Sequence, residues 1–348
     1  MPTAVALLLP LAIVGRVHAA EPWQVAGTPA VLTQPVVFQN AGAVLRGTLY
    51  RPDVTRRVPA IVAFHAAEVG NADAALYNHL REGLPAIGIA VLIFDRRGSG
   101  RSTGSTANVS FQTLADDGIA GARAIARLAA IDPKRIGYWG LSQGGWLAVF
   151  AAGRDPNAAF AVSVSAPLVT PELQMEFAMA NVLRVNGYPA SDLDAMLAAR
   201  KAWIGYLHGN LPLATAEAAL STIDRKRWFP LMYLPSAKEL ASNINTSASR
   251  ERMDADPLAA LARVHVPVLF IYGGKDPWTP VAATIERLHT LAQAHSGIEY
   301  AVIAGADHDM AFVQHERMTI DAATLQRDVP QAPAYFMLLA AWLARHLS

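Results

Sequence analysis

Short apolar segments punctuate most of the chain and set the elements it predicts. PVVFQN (35–40) and AVLRGTLYRP (43–52) read as an antiparallel strand pair joined at Asn40-Ala41-Gly42. Apolar runs at 59–65, 89–95, 136–140 and 160–165 read as buried strands, and VPVLFIYG and IEYAVIAG add two more after residue 265. Between them FQTLADDGIAGARAIARLAAI carries apolar residues at helical spacing and is expected to end near Asp132-Pro133. APAYFMLLAAWLARHL predicts a C-terminal helix. Strands alternating with helices imply a mostly parallel α/β sheet covered on both faces. Residues 166–255 break the rhythm, being helical and rich in Ala, Met and Trp, and are read as a helical lid over the sheet's C-terminal edge. The core then occupies 35–165 and 256–348.

Within this pattern IGYWGLSQGGWLAVF (136–150) passes from a strand through a glycine-flanked serine straight into a helix. Gly140-Leu141-Ser142-Gln143-Gly144 fits G-x-S-x-G in the strand–turn–helix context that lifts a nucleophile onto a sharp turn. Side chains at the flanking glycines would collide with the adjoining strand and helix. A serine nucleophile needs a base, and the base needs an orienting carboxylate. In the arrangement that carries this motif the order is Ser, acid, His, each on a loop after a strand. YGGKDPWTP supplies Asp276 and IAGADHDM supplies His308 in those places. Asp307 and Asp309 flank His308 too closely to face its ring easily, so Asp276 is the expected partner.

Composition narrows the substrate more than the chemistry. The 348 residues are 53% hydrophobic with a formal charge of +1, enough for a large core and without the basic excess that nucleic acid requires. No metal-ligand spacing and no Gly-rich phosphate loop appear, so no cofactor or metal is expected. MPTAVALLLPLAIVGRVHAAEPW opens with an apolar run too short to span a bilayer, followed by Val17-His18-Ala19, which suits signal peptidase. Residues 1–19 are therefore expected to be a cleaved export signal without stable membrane insertion, although no Lys or Arg precedes the run; a retained anchor or a buried N-terminal strand are the alternatives. The absence of cysteine rules out disulfides and a lipid-modified N-terminal cysteine, so an exported form would be stabilised by its core alone.

From Pro35 onward the chain resembles the α/β-hydrolase superfamily, and within it bacterial exported esterases and dipeptidyl-aminopeptidase-like serine hydrolases. Beyond the Ser-Asp-His series the resemblance rests on FDRRGSGRS (94–102), similar to the D-x-R-G-x-G-x-S loop, with Arg97 expected to tie Asp95 or a neighbouring loop. It implies a serine hydrolase acting through an acyl-enzyme on carboxylic esters of small or apolar molecules. It further implies an oxyanion hole of backbone N–H groups, from Gln143 and from the loop after the third strand. There AFHAAEVGN places Ala66 where the family has glycine; Ala67 N–H is the expected second donor and Ala66 the lesser alternative, while His65 is expected to pack beneath the loop. Met175, Phe177, Met179, Trp203, Tyr206, Trp228, Phe229, Met232 and Tyr233 either line an apolar acyl pocket or form the lid's own core. An aminopeptidase or amidase acting on short peptides is the alternative activity, for which Glu172 and Glu176 offer a carboxylate pair; a decayed, non-catalytic binding module is the third reading.

Overall fold

A computed structural model describes residues 29–67, 70–106, 109–243, 247–313 and 331–347; the expected leader at 1–19 lies outside them. Eight strands, β1 (Val31–Asn40), β2 (Ala43–Pro52), β3 (Val58–Phe64), β4 (Ala90–Phe94), β5 (Ile131–Leu141), β6 (Ala161–Val164), β7 (Val268–Gly273) and β8 (Ile298–Ile303), form one sheet. Their order is β1-β2-β4-β3-β5-β6-β7-β8. β2 runs antiparallel to β1 and to β4, and every other neighbouring pair is parallel. The β1–β2 turn uses Ala41 at φ 44° and Gly42 at φ 77°, the two left-handed residues a tight hairpin needs to match strand twist.

Central strands β3, β4 and β7 are buried along their whole length, as strands covered on both faces must be. One core lies between the sheet and α2 (Phe111–Ile125), α3 (Gln143–Ala152) and α10 (Val281–Ala294), filled by Phe64, Phe94, Phe111, Trp146, Tyr138 and Leu288. The opposite core, under the one-turn α1 (Leu84–Ala86) and α11 (Pro333–Leu347), holds Trp139, Phe160, Tyr335 and Trp342. α2 starts at the Ser110 cap, whose hydroxyl accepts from Thr113 N–H, and stops at Ile125, six residues short of the sequence expectation. Ile131 already pairs with Val58 in the sheet, and Val58 N–H donates to Ala130 O at 2.9 Å, so strand pairing overrides helical spacing there.

Between β6 and β7 come α4 (Pro171–Val185), α5 (Ala190–Leu207), α6 (Leu213–Ser221), α7 (Ala237–Asn243), α8 (Ser247–Asp254) and the short α9 (Pro257–Leu261). The first of these enclose a separate apolar core of Met179, Leu183, Met196, Trp203, Trp228 and Met232. α4 is tied to the loop after β7 by two amides: Gln174 Nε2 donates to Trp278 O at 2.8 Å and Asn181 Nδ2 to Pro277 O at 2.9 Å.

Candidate active site

Ser142 stands alone between the last residue of β5 and the first of α3, with φ 55° and ψ −121°. A non-glycine residue at positive φ is strained by about 1–3 kcal/mol, and the surroundings enforce it. A Cβ at Gly140 would fall 1.9 Å from Gly144 O, and one at Gly144 would fall 2.3 Å from Phe64 O. The turn therefore closes only with glycine at both places. Ser142 N–H donates to Val164 O at 2.8 Å, which pins the elbow to the end of β6, and Gly145 N–H donates to Ser142 O at 2.8 Å. The side chain is half-buried at the N-terminus of a ten-residue helix, where developing negative charge is favoured.

Two and three strands over from β5, Asp276 follows β7 and His308 follows β8. His308 Nδ1 donates to Asp276 Oδ2 at 2.8 Å, with the carboxylate wholly buried. The other carboxylate oxygen accepts Trp278 N–H at 2.8 Å and Thr279 N–H at 3.1 Å. Burial by itself lowers the His308 pKa, but the Asp276 charge and hydrogen bond, aided by Asp309 and Asp307, carry it up to about 9. Asp307 is turned into its own loop, where Oδ1 accepts Asp309 N–H at 3.0 Å and Ala311 N–H at 2.9 Å. Ser165, the residue after β6, reaches the same place: its hydroxyl donates to His308 O at 2.7 Å, and its own carbonyl accepts Thr279 Oγ1–H at 3.1 Å. The strand end that anchors Ser142 through Val164 thus anchors His308 through Ser165. Among the described residues no hydrogen bond joins the Ser142 hydroxyl to the His308 ring. Ser165, Trp278 and Thr279 escaped the sequence reading; an Asp-Pro-x-Thr turn whose N–H groups bond the Asp side chain was the available signal.

The loop after β3 lies against the elbow, since a Cβ at Gly144 would also come within 2.8 Å of His65 O. Ala66 is not among the residues at positive φ, so alanine there holds its backbone without strain. Its N–H donates to Tyr77 Oη at 3.1 Å and is thereby occupied. His65 is buried: Nε2 donates to Phe94 O at 2.5 Å, and desolvation lowers its pKa to about 4, fixing a neutral ring. Gln143, opening α3, presents one of the first-turn N–H groups that have no intrahelical partner.

Arg97 makes the expected kind of tie with a different carboxylate. It binds not Asp95 but Asp117 on α2, through Nε at 2.7 Å and Nη2 at 2.5 Å, both side chains being buried, and Nη2 also donates to Asn40 O at 3.3 Å, where β1 enters its turn. Asp95 instead accepts Ala72 N–H at 2.9 Å, Arg101 N–H at 2.9 Å and Arg101 Nε at 3.0 Å. In the helical segment, Met179, Trp203, Trp228 and Met232 are core, while Tyr233 is 45% exposed and packs edge-on against Trp278 at 5.8 Å. Trp278 in turn lies 6.4 Å from the His308 ring. Glu172 and Glu176 both interact with the buried cation of Arg200, whose Nη2 donates to Glu172 O at 2.6 Å. Glu172, His208 and Asp254, far apart in sequence, bring ligand atoms within 4.8 Å of one another; His208 Nε2 and Asp254 Oδ1 are hydrogen-bonded at 2.8 Å, a contact a divalent cation would have to open.

The family model for serine aminopeptidases of the S33 type matches residues 60–314, which take in the elbow, Asp276 and His308. The chain belongs to that family of α/β-hydrolases. Among curated relatives, a thiohydrolase of Arthrinium phaeospermum is 33% identical over 38% of this chain and 43% of its own. An uncharacterised Mycobacterium tuberculosis protein is 29% identical over 73% of this chain and 65% of its own, so the match spans less than two thirds of either of these relatives. A monoacylglycerol lipase of Mycolicibacterium smegmatis is 26% identical over 79% of this chain and 90% of its own. The fold matches a Pyrococcus furiosus esterase with TM-score 0.59 at 15% identity, covering 91% of this chain and 92% of that one.

Proposed function

We propose that the protein hydrolyses carboxylic esters through an acyl-enzyme, with Ser142 as nucleophile, His308 as general base and acid, and Asp276 holding the imidazole. The observation that carries this reading is the buried Asp276–His308 pair anchored by the same β6 end that anchors the strained Ser142. Because Nδ1–H is committed to Asp276, Nε2 is the nitrogen left to exchange protons with Ser142. Ser142 Oγ gives its proton to Nε2 as it bonds the carbonyl carbon; the tetrahedral oxyanion is received by Gln143 and Ala67 N–H. The C–O bond to the alcohol then breaks as Nε2 returns the proton to the leaving oxygen. Water repeats the cycle on the acyl-enzyme and frees the acid. The unliganded Ser142–His308 separation is expected to tighten when substrate is bound.

Esters are preferred over aminoacyl amides for two reasons. The Arg200 guanidinium, whose Nη2 donates to Glu172 O at 2.6 Å, is a buried cation beside Glu172 and Glu176, a neighbourhood that disfavours a substrate ammonium. The broadest-covering curated relative cited above is a lipase of monoacylglycerols. The helical segment from α4 to α8 is proposed as a lid, with Tyr233 and Trp278 giving the acyl group an aromatic wall. Export by the 1–19 leader belongs to the same proposal. A fluorophosphonate probe followed by mass spectrometry tests it: labelling is expected at Ser142 and absent in Ser142→Ala. Short and long acyl nitrophenyl esters assayed beside aminoacyl anilides separate the activities, and faster anilide cleavage would overturn the ester assignment.

A further inference from the structure

Arg96 sits where the D-x-R-G-x-G-x-S pattern accepts any residue, yet its guanidinium is more fully engaged with the site than that of Arg97. Nη2 donates to His65 O at 3.0 Å and to Ala66 O at 2.5 Å, and Nη1 donates to Ala67 O at 2.6 Å. Its backbone N–H donates to Gly70 O at 2.9 Å, so this one residue holds His65, Ala66, Ala67 and Gly70 together. Asp95 takes Ala72 N–H immediately beyond. The cation faces carbonyl oxygens where a carboxylate would be the usual partner, and its planar fork is suited to spanning several acceptors at once.

A peptide group is planar and trans, so the carbonyl of one residue points opposite to the N–H of the next. Holding Ala66 O against Arg96 therefore aims Ala67 N–H away from Arg96. Holding His65 O does the same for Ala66 N–H, which ends on Tyr77 Oη. The guanidinium and the tyrosine hydroxyl grip the His65–Ala66 peptide plane from opposite sides, and the guanidinium also holds the Ala66–Ala67 plane by its carbonyl. Resting on the acyl-transfer reading above, we propose that Arg96 is a positioning residue of the oxyanion hole, fixing the direction of Ala67 N–H through the Ala66–Ala67 peptide plane. This gives an alanine-bearing loop the rigidity that the reaction needs, because a donor stabilises the oxyanion only when held in place beforehand.

Arg96→Lys keeps the stem and the charge but offers one ammonium in place of a fork. Both Arg96→Lys and Arg96→Ala are expected to lower kcat for a nitrophenyl ester by about 10²–10³-fold, the cost of one oxyanion donor, with KM within about three-fold of wild type. Affinity for an alkyl boronic acid, which forms a tetrahedral adduct, should fall in parallel, and added guanidinium ion should recover part of the Arg96→Ala rate and none of the Arg96→Lys rate. Melting temperature is followed for each variant; should Arg96→Ala fail to fold, Arg96→Lys decides by itself. Folded Arg96→Lys with wild-type kcat, or with the loss confined to KM, would overturn the inference. Wild-type protein that the fluorophosphonate leaves unlabelled would instead remove the acyl-transfer reading, whereas labelled wild type with an unaffected Arg96→Lys removes the Arg96 role alone.

Discussion

Replacing Asp276 by asparagine removes the charge that sets the protonation of His308 while keeping the size of its partner. In the wild type that pair carries the imidazole from an ordinary 6.5 to about 9, which corresponds to about 3 kcal/mol of preference for imidazolium over the neutral ring. Burial opposes the shift, so with Asp276 neutral it competes only with the charges of Asp309 and Asp307. The His308 midpoint in Asp276→Asn is expected at or below 6.5, read from the Cε1–H resonance assigned by comparison with His308→Gln. Activity should follow. Wild-type kcat/KM rises with pH through a midpoint near 9, as the ring loses its proton, to a plateau above it; the variant reaches its plateau at lower pH but about 10³–10⁴-fold lower, since the amide no longer enforces the tautomer. Stability has the same origin. The folded pKa lies above the unfolded one, so the pair contributes fully below pH 6.5 and its contribution is lost as pH rises through about 9. Chemical denaturation at pH 6 and pH 10 should show that loss in the wild type and its near absence in Asp276→Asn. A His308 midpoint that stays near 9 without the carboxylate would refute the reasoning.

Two further outcomes follow from packing. Gly144→Ala would place a methyl carbon 2.3 Å from Phe64 O in the middle of the elbow, so the backbone must move; a destabilisation of about 1–3 kcal/mol with a large loss of kcat is expected, and a thermal melt with an ester assay checks both. Asp117→Asn leaves the buried Arg97 guanidinium without its carboxylate, at an expected cost of about 3–5 kcal/mol in urea denaturation. Because Arg97 and Asp117 brace β1 and α2 from a distance, the kcat/KM of the folded variant should remain within about three-fold of wild type.

Much of this molecule is local enough to be legible along the chain. At Gly140 the elbow is dictated by sterics four residues apart, against Gly144 O, so the motif announced its turn, whereas Gly144 is required by the carbonyls of Phe64 and His65, distant in the chain. Buried strands showed as apolar runs because both faces of a parallel sheet are covered, and Asp276 and His308 could be named from their order and from the strands before them. The pairing of His308 with Asp276 was legible too, because Asp307 and Asp309 lie too close in sequence to face the ring. That His308 turns to Asp276 and not to its own neighbours Asp307 and Asp309 is shown by the carboxylate of Asp307 binding its own loop's N–H groups. Which of two adjacent arginines grips the loop after β3, and which crosses to α2, depends on side chains pointing to opposite sides of one backbone turn. Sequence assigned the tie to Arg97 and passed over Arg96; the fold reverses their importance for the site, because the sheet order puts β4 beside β3 and brings Arg96 against three carbonyls distant in the chain. The helix after Ser110 ended early for the same reason: spacing of apolar residues records a preference, and pairing with a neighbouring strand decides the conformation when both would bury the same side chains.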